Sequence, residues 1–553
     1  MAAVLNDTII STPALEAPLR DGGMISGSFS PREVNLLAKD LEAGSLSYAP
    51  HILLEKNIHP ELGKSDRAKG IIATALALIL VVGSMLIYYR FAGFVASVAV
   101  LFNLLILWAV LQNLEAVLTL GSIAGIILTV GMSVDANVLV FERIKEELAR
   151  TGNLKHALDA GYRKAYGAII DSNLTTLIAA LILLNFHAGP IQSFALNLLI
   201  GIISSLFTAL FVTRFYFSGW LKRAKNPVLS MKNWMREPKI SFLKWTKPAF
   251  IIAGLVIGLG SFGIWTHKDS LFGLDFTGGY AVHLELESGN AANVKKALLA
   301  AGASPSDLQA QELHPSTQVR LFLSNALELP GKPFYGMTSD AAPRIHWILD
   351  ALQKEGLQLT PACISQLSSN WTAMSGQISS TMRSQAVWAL SLAFLAIFVY
   401  LAFRFEIYYS AAALLCLIHD LLITAGTLGV LHLVGVDIQI DLTTIAAFMT
   451  IIGYSLNDKI IVFDRVREER AATPQKRLSE VVNSSLNTTL SRTTITSGTT
   501  LLVLLALLIF GGSSLFNFSL TMVIGVSLGT LSSWFIASPL LLLLQAKKKK
   551  VFA

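Results

Sequence analysis

Two carboxylates lie where a lipid-embedded chain should carry only hydrocarbon. The stretch Gly131-Met-Ser-Val-Asp135-Ala-Asn-Val-Leu-Val-Phe-Glu-Arg-Ile-Lys-Glu-Glu147 returns 322 positions later as Gly453-Tyr-Ser-Leu-Asn457-Asp458-Lys-Ile-Ile-Val-Phe-Asp-Arg-Val-Arg-Glu-Glu469. Each copy closes a long apolar run and puts an acid inside it, Asp135 in the first and Asp458 in the second. Acids at that depth mark ion pathways and proton relays by default. A desolvated carboxyl group favours its neutral form and ionises when a cation or a water chain approaches, which is the behaviour a relay needs. The plainer alternative is a static ion pair; Lys459 adjoins Asp458, but neighbours one residue apart on a helix do not face each other. Asp135 aligns with Asn457, so the two acids are offset by one residue, about 100° around a helix, and the halves are not equivalent. Arg492, at the head of the next apolar run, is expected as the permanent charge partner of Asp458. Its plainer reading is an interfacial anchor with a snorkelling head. Asn457, Thr493 and Thr494 are candidates for a hydrogen-bonded path.

Other polar residues interrupt the apolar runs. His419-Asp420 lies mid-run, and two readings stand: a second stage of the relay, or a bond from helix to helix. Asp171, which opens or lines a run together with Asn173 and Thr175, is expected as a helix cap or dipole partner rather than a proton carrier. The segment Phe272-Gly273-Leu-Asp275-Phe-Thr-Gly278-Gly279 sets glycines just outside a run, which suits a hinge or packing corner better than a ligand site. Gly254 with Gly258, and Gly525 with Gly529, have the spacing of helix-packing surfaces. Gly63-Lys64-Ser65 imitates the end of a phosphate loop, but position 58 is Ile, so no nucleotide site is expected. The two cysteines, Cys363 and Cys416, support neither a disulfide framework nor a metal cluster. No nucleophile and base arrangement stands out, so the chain reads as a non-enzyme without metal or cofactor, driven by an ion gradient or a partner.

The elements that must hold these residues follow from composition. Apolar residues make up 53% of the 553 and charged ones 14%, with a mean hydropathy of +0.59; ordinary soluble chains carry about 25% charged residues. The chain is a polytopic α-helical membrane protein. Its net charge of +7 sits in short segments between apolar runs, which argues against nucleic-acid binding. Eleven runs, near 68–89, 92–113, 116–141, 165–184, 193–216, 248–266, 385–403, 409–432, 440–463, 493–510 and 516–544, each approach the roughly 20 residues needed to cross a bilayer.

The organisation expected is a remnant of an outer domain at 1–67, with one strand over 2–10 and a helix from Ser30 to Gly44. A five-span bundle at 68–216, a basic linker at 217–247 and a span at 248–266 follow. An α+β domain at 267–383, a second five-span bundle at 384–544 and a basic tail at 545–553 complete the chain. Arg90, Arg404, the loops 142–164, 217–247 and 465–477, and the tail fall on one side, which the positive-inside rule makes cytoplasmic. Residues 1–67 and 267–383 are then on the outer face and the C-terminus is cytoplasmic. The halves form parallel repeats of about six spans around an axis along the membrane normal, third helices facing at the centre. That plan places one more span and most of an outer domain before Met1 in an intact protein.

The motifs also carry a resemblance. Phe272 to Gly279 just after a span, Gly453-Tyr-Ser-Leu-Asn-Asp458 and Leu490-Ser-Arg492-Thr-Thr resemble SecF of the bacterial protein-export accessory pair. Gly131-Met-Ser-Val-Asp135-Ala-Asn with Asp171-Ser-Asn-Leu-Thr-Thr resembles SecD. The chain resembles a fused SecD/SecF along nearly its whole length, lacking the SecD counterpart of the Gly-Leu-Asp-x-x-Gly-Gly motif and the first SecD span. The resemblance implies an accessory of the Sec translocase in the bacterial cytoplasmic membrane, using the proton gradient to promote late stages of preprotein export. It implies the SecYEG translocon, SecA, YajC, unfolded preproteins and membrane lipids as partners. Two other functions remain open: a small-molecule or lipid exporter of the related resistance superfamily, for which the α+β insert is small, and a non-pumping translocon scaffold.

Overall fold

The computed structural model describes residues 3–5, 8–11, 30, 34–35, 38–39, 54–56 and 60–551, apart from 187–188, 226, 233–239, 268–270, 304–307, 313–316, 325–326, 328–342, 367–370 and 437. Two units are distinguished, Met1–Leu53 and Leu54–Ala553. In the first, β1 (Ala3–Leu5) and β2 (Thr8–Ser11) pair antiparallel, with Ala3 opposite Ser11. The single strand expected over 2–10 is therefore two short strands paired with one another. Of the helix expected from Ser30 to Gly44, residues 34–35 and 38–39 are helical and the remainder lies outside the described residues.

Among the described residues, the second unit holds eleven helices long and apolar enough to cross a membrane. The first half comprises α1 (Pro60–Tyr89), α2 (Phe91–Asn113), α3 (Leu120–Ser133) continued after a break by α4 (Asp135–Thr151), and α5 (Leu154–Leu184). Its last span is α6 (Gly189–Phe207), which passes through a π turn at Thr208–Val212 into α7 (Thr213–Arg223). The second half begins with α8 (Thr246–Thr266) and the short α9 (Leu274–Thr277).

An α+β domain follows. Its sheet has the order β3-β7-β4-β6-β5 and every pairing is antiparallel. The strands are β3 (Leu54–Lys56), β4 (Gly279–Glu285), β5 (Leu308–Glu312), β6 (Gln318–Leu323) and β7 (Trp371–Met374), and the helices α10 (Ala291–Ala300), α11 (Pro343–Lys354) and α12 (Pro361–Gln366). Alternation along β6 buries Val319, Leu321 and Leu323 against Val294, Leu298, Ile348 and Leu352, as a sheet with one covered face requires. β3, just before α1, pairs with β7, just before the next span, so equivalent points of the two halves share one sheet.

The remaining spans are α13 (Gly376–Arg404), α14 (Ile407–Leu433), α15 (Leu442–Ala472), α16 (Leu478–Phe510) and α17 (Phe516–Ser532). After α17 a second π turn, Ser533–Ala537, leads into α18 (Ser538–Val551). Single π turns of this kind are frequent at functional sites. Both halves place theirs in the same span.

The two halves meet as parallel repeats do. Gly453 of α15 faces Thr176 of α5, and its repeat mate Gly131 faces Thr500, the mate of Thr176. α15 packs along α5, while α16 packs on α3 and α4. α15 thus lies chiefly along a span of the other half, α5, while α3 and α4 pack mostly on α5 and α6 of their own half and receive α16 from the other.

Candidate functional site

α15 is helical without interruption through Asn457 and Asp458, whereas the equivalent first-half span breaks at Val134, so that Asp135 opens α4. Asn137 Nδ2 donates to the Ser133 carbonyl across that break at 3.2 Å. Val134 keeps helical backbone angles, and Asp135 lies at the seam. There Asn457 Nδ2 donates to Asp135 Oδ2, a bond between two residues in matching repeat positions. Arg492 Nη2 of α16 lies 3.4 Å from Asp135 Oδ1. Asp458 Oδ2 accepts from Ser497 Oγ at 3.4 Å, and that hydroxyl accepts from Thr530 Oγ1 at 2.8 Å. Asp135, Asp458 and Arg492 are all buried.

Arg492 thus pairs across the seam with Asp135, not within its own half with Asp458 as its sequence position suggests. The reason is packing: α16 lies on α3 and α4, which aims its arginine at the other half. Several polar atoms here have no hydrogen-bond partner among the described residues: Arg492 Nε and Nη1, Thr493 Oγ1, Asn137 Oδ1 and Asn457 Oδ1. These atoms surround two acids and one permanent cation.

Asp171 is no helix cap. It lies in the middle of α5, because the helix begins at Leu154, well before the apolar run that predicts it. There it accepts from Tyr400 Oη at 2.8 Å and pairs with Arg404 Nε at 2.7 Å, both on α13. Asp420 sits on α14 and pairs with Lys459 at 2.5 Å. Sequence adjacency suggests no partner for Lys459, yet a lysine inside an apolar run calls for an acid, and Asp420 is another acid at that depth.

The segment from Gly273 to Gly279 forms the joint between the α+β domain and α15. Gly273 N donates to the Ile440 carbonyl at 2.9 Å, and Ile440 N to the Leu271 carbonyl at 2.7 Å. Asp275 Oδ2 accepts from Leu442 N at 2.9 Å, and Asp441 caps the same helix end through Thr444 N at 2.8 Å. Two carboxylates at a helix N-terminus complement its dipole. Gly278 and Gly279 take φ of 70° and 120°, and a Cβ at Gly279 would lie 2.3 Å from the Leu323 carbonyl oxygen, so this corner needs glycine. The motif is therefore a clasp on the N-terminus of the helix that carries Asp458.

At the opposite, basic end the seam is closed by four alternating charges. Glu146 binds Arg465 at 2.6 Å, Arg465 binds Glu468 at 3.0 Å, Glu468 binds Arg143 at 3.4 Å and Arg143 binds Glu146 at 3.2 Å. Arg143 and Glu146 are the repeat mates of Arg465 and Glu468, so two of the four pairs cross between halves. The glutamates are partly solvated, where each ion pair contributes about 0.2–1 kcal/mol. Glu146→Gln with Glu468→Gln is expected to cost on the order of 1 kcal/mol in thermal melts at low ionic strength. The cost should fall in roughly molar salt, where the Debye length is about 3 Å.

The family model described as protein export membrane protein SecD/SecF, C-terminal, matches residues 44–222 and 359–547. The chain belongs to the SecD/SecF family. One model matching twice is the repeat itself, once for each helix bundle. The SecDF protein translocase subunit of Brucella abortus is 31% identical over 564 residues, covering 100% of this chain and 70% of that protein. SecDF of Thermus thermophilus is 32% identical over 558 residues, covering 99% and 71%. The crystal structure of SecDF from Thermus thermophilus, titled a translocon-associated membrane protein, superposes with a TM-score of 0.81 at 31% identity, covering 99% of this chain and 72% of that one. Like these SecDF relatives, the chain is a multi-pass bacterial membrane protein.

Proposed function

We propose that this chain is an accessory subunit of the bacterial Sec protein translocase that uses the proton gradient across the cytoplasmic membrane to promote late stages of preprotein export. The observation that carries the reading is the buried cluster of Asp135, Asp458 and Arg492 across the seam between repeats. With both acids ionised the three groups sum to one negative charge, so one proton makes the cluster neutral. Charge at that depth governs how closely the seam packs, and a proton gained or lost at Asp458 alters that packing. Asn457 and Thr493 line the approach to the acids. The change is carried along α15 to the clasp of Gly273 and Asp275, and so to the α+β domain, which on this reading faces outward and holds emerging chain. One charge moved through 100 mV supplies about 2.3 kcal/mol, enough to bias a two-state rearrangement. SecYEG, SecA and YajC are the partners this role implies.

The test is completion of export of a reporter preprotein into sealed inverted vesicles, with and without an imposed proton gradient. The expected result is that Asp458→Asn removes the gradient-dependent part of export and leaves the gradient-independent part. Equal gradient dependence in variant and parent would end the pump reading and leave a scaffold that braces the translocon.

A further inference from the structure

The second half contains a second buried charge pair, whose lysine has an uncharged repeat mate in the first half. Lys459 Nζ lies 2.5 Å from Asp420 Oδ2, 2.6 Å from Ser455 Oγ and 3.0 Å from the Ser455 carbonyl oxygen, so all three of its protons are engaged. Ser455 Oγ also donates to Asp420 Oδ2 at 2.5 Å, and His419 Nδ1 stands 3.1 Å from Asp420 Oδ1. Both charged side chains are essentially inaccessible, at 0% and 1% exposure. The repeat mate of Lys459 is Asn137, which carries no charge.

A buried ion pair is a weak source of stability, because desolvation offsets most of the attraction. Its retention asks for another reason, and the neighbouring residue supplies one. Asp458 precedes Lys459, yet its carboxylate turns about 100° away around α15, toward Ser497. Adjacent positions on one helix therefore serve two acids in opposite ways: Asp420 is clamped by a fixed cation, and Asp458 is not. The other titratable groups facing the pair are Cys416 and His419 on α14 and Asp458 on α15, while α17 offers only the Ser532 hydroxyl, 3.7 Å from Cys416 Sγ.

We propose that Lys459 is a built-in counter-ion that keeps Asp420 ionised and outside proton exchange, leaving Asp458 and Asp135 as the acids of the cycle. The last clause rests on the relay reading above. Lys459 is a positioning residue in this scheme: it acts through Asp420 and sets how many acids take part. Remove its charge, and Asp420 becomes a third buried carboxyl group that must bind a proton.

Infrared spectra of the full chain in lipid, taken near neutral pH, separate neutral carboxyl groups from carboxylates by their C=O stretch. The parent and the neutral double variant Lys459→Met with Asp420→Asn are expected to show the same neutral-acid band. Lys459→Met alone should gain one carboxyl equivalent, and Lys459→Arg none. A parent band exceeding that of the double variant by one carboxyl would overturn the proposal, and this comparison does not need the single variant to fold. A Lys459→Met band equal to that of the double variant would overturn it as well. The relay reading is tested separately by Asp458→Asn, which should remove a pH-dependent part of the parent band. Its failure would leave the Asp420 comparison intact.

Discussion

Arg492→Gln is expected to destabilise the protein by about 3–5 kcal/mol, the usual cost of removing one partner from a buried ion pair. Among the described residues Asp135 would keep only the Asn457 amide as a donor, and a carboxylate with a single neutral donor is poorly compensated inside a helix bundle. Adding Asp135→Asn should recover most of the loss, because the site then holds two neutral amides in place of two charges. Thermal melts of the parent, the two single variants and the double variant close a cycle whose coupling term isolates the pair. Two features argue for the lower end of the range: the Arg492 to Asp135 distance is long at 3.4 Å, and Nε and Nη1 have no partner among the described residues. Stability and function should then part company, since the stable double variant has lost both the acid and the cation of the proposed relay and should lack gradient-dependent export. If Arg492→Gln melts with the parent, the arginine does not compensate Asp135, and the cross-seam pairing loses its energetic meaning.

Much of this architecture is legible in the sequence, because a bilayer imposes strong rules. Hydropathy marks the eleven spans, and the shift of 322 identifies the residues that meet at the seam, Asn457 and Asp135 among them. What escapes is anything decided by packing between elements. Arg492 reads as a partner of Asp458 because both belong to one half; only the packing of α16 on α3 and α4 turns it toward Asp135. Asp171 reads as a cap because hydropathy sees α5 only from about residue 165, while its polar first turns from Leu154 extend beyond the apolar run. Lys459 reads against Asp458 because the two are adjacent in sequence, while its partner Asp420 lies 39 positions away on the preceding helix, α14, and only the packing of α14 on α15 brings the two together. Small-residue spacing failed in one of two cases. Gly525 and Gly529 do pack closely, on Ile451 and Ser455, but nothing lies within 4 Å of a Cβ at Gly254 or Gly258. A small residue every fourth position records an opportunity for close approach, and the neighbouring helix decides which face of α8 takes it.

That face carries Gly260 and Gly263, and Gly260→Leu is expected to be the most disruptive single change in α8. A Cβ at Gly260 would lie 2.0 Å from the Gly426 carbonyl oxygen and 2.3 Å from its Cα, and one at Gly263 would lie 2.8 Å from the Gly429 oxygen. The obstacle is the backbone of α14, so no rotamer change relieves it and the helices must separate. α8 is the least buried of the eleven spans and has only Ala253, Gly260 and Gly263 buried, so this crossing is its principal attachment. The cost should reach at least about 3 kcal/mol, the upper end for overpacking. Gly258→Leu, on the open side of the same helix, should be nearly neutral in the same thermal melts. If the two variants melt alike, the glycine crossing is not what holds α8. The functional consequence follows from connectivity. α8 leads directly into the Gly273 to Asp275 clasp on α15, so a helix displaced from α14 carries the clasp away from the N-terminus it caps. Gly260→Leu should therefore lose gradient-dependent export even with Asp135, Asp458 and Arg492 untouched, and Gly258→Leu should keep it.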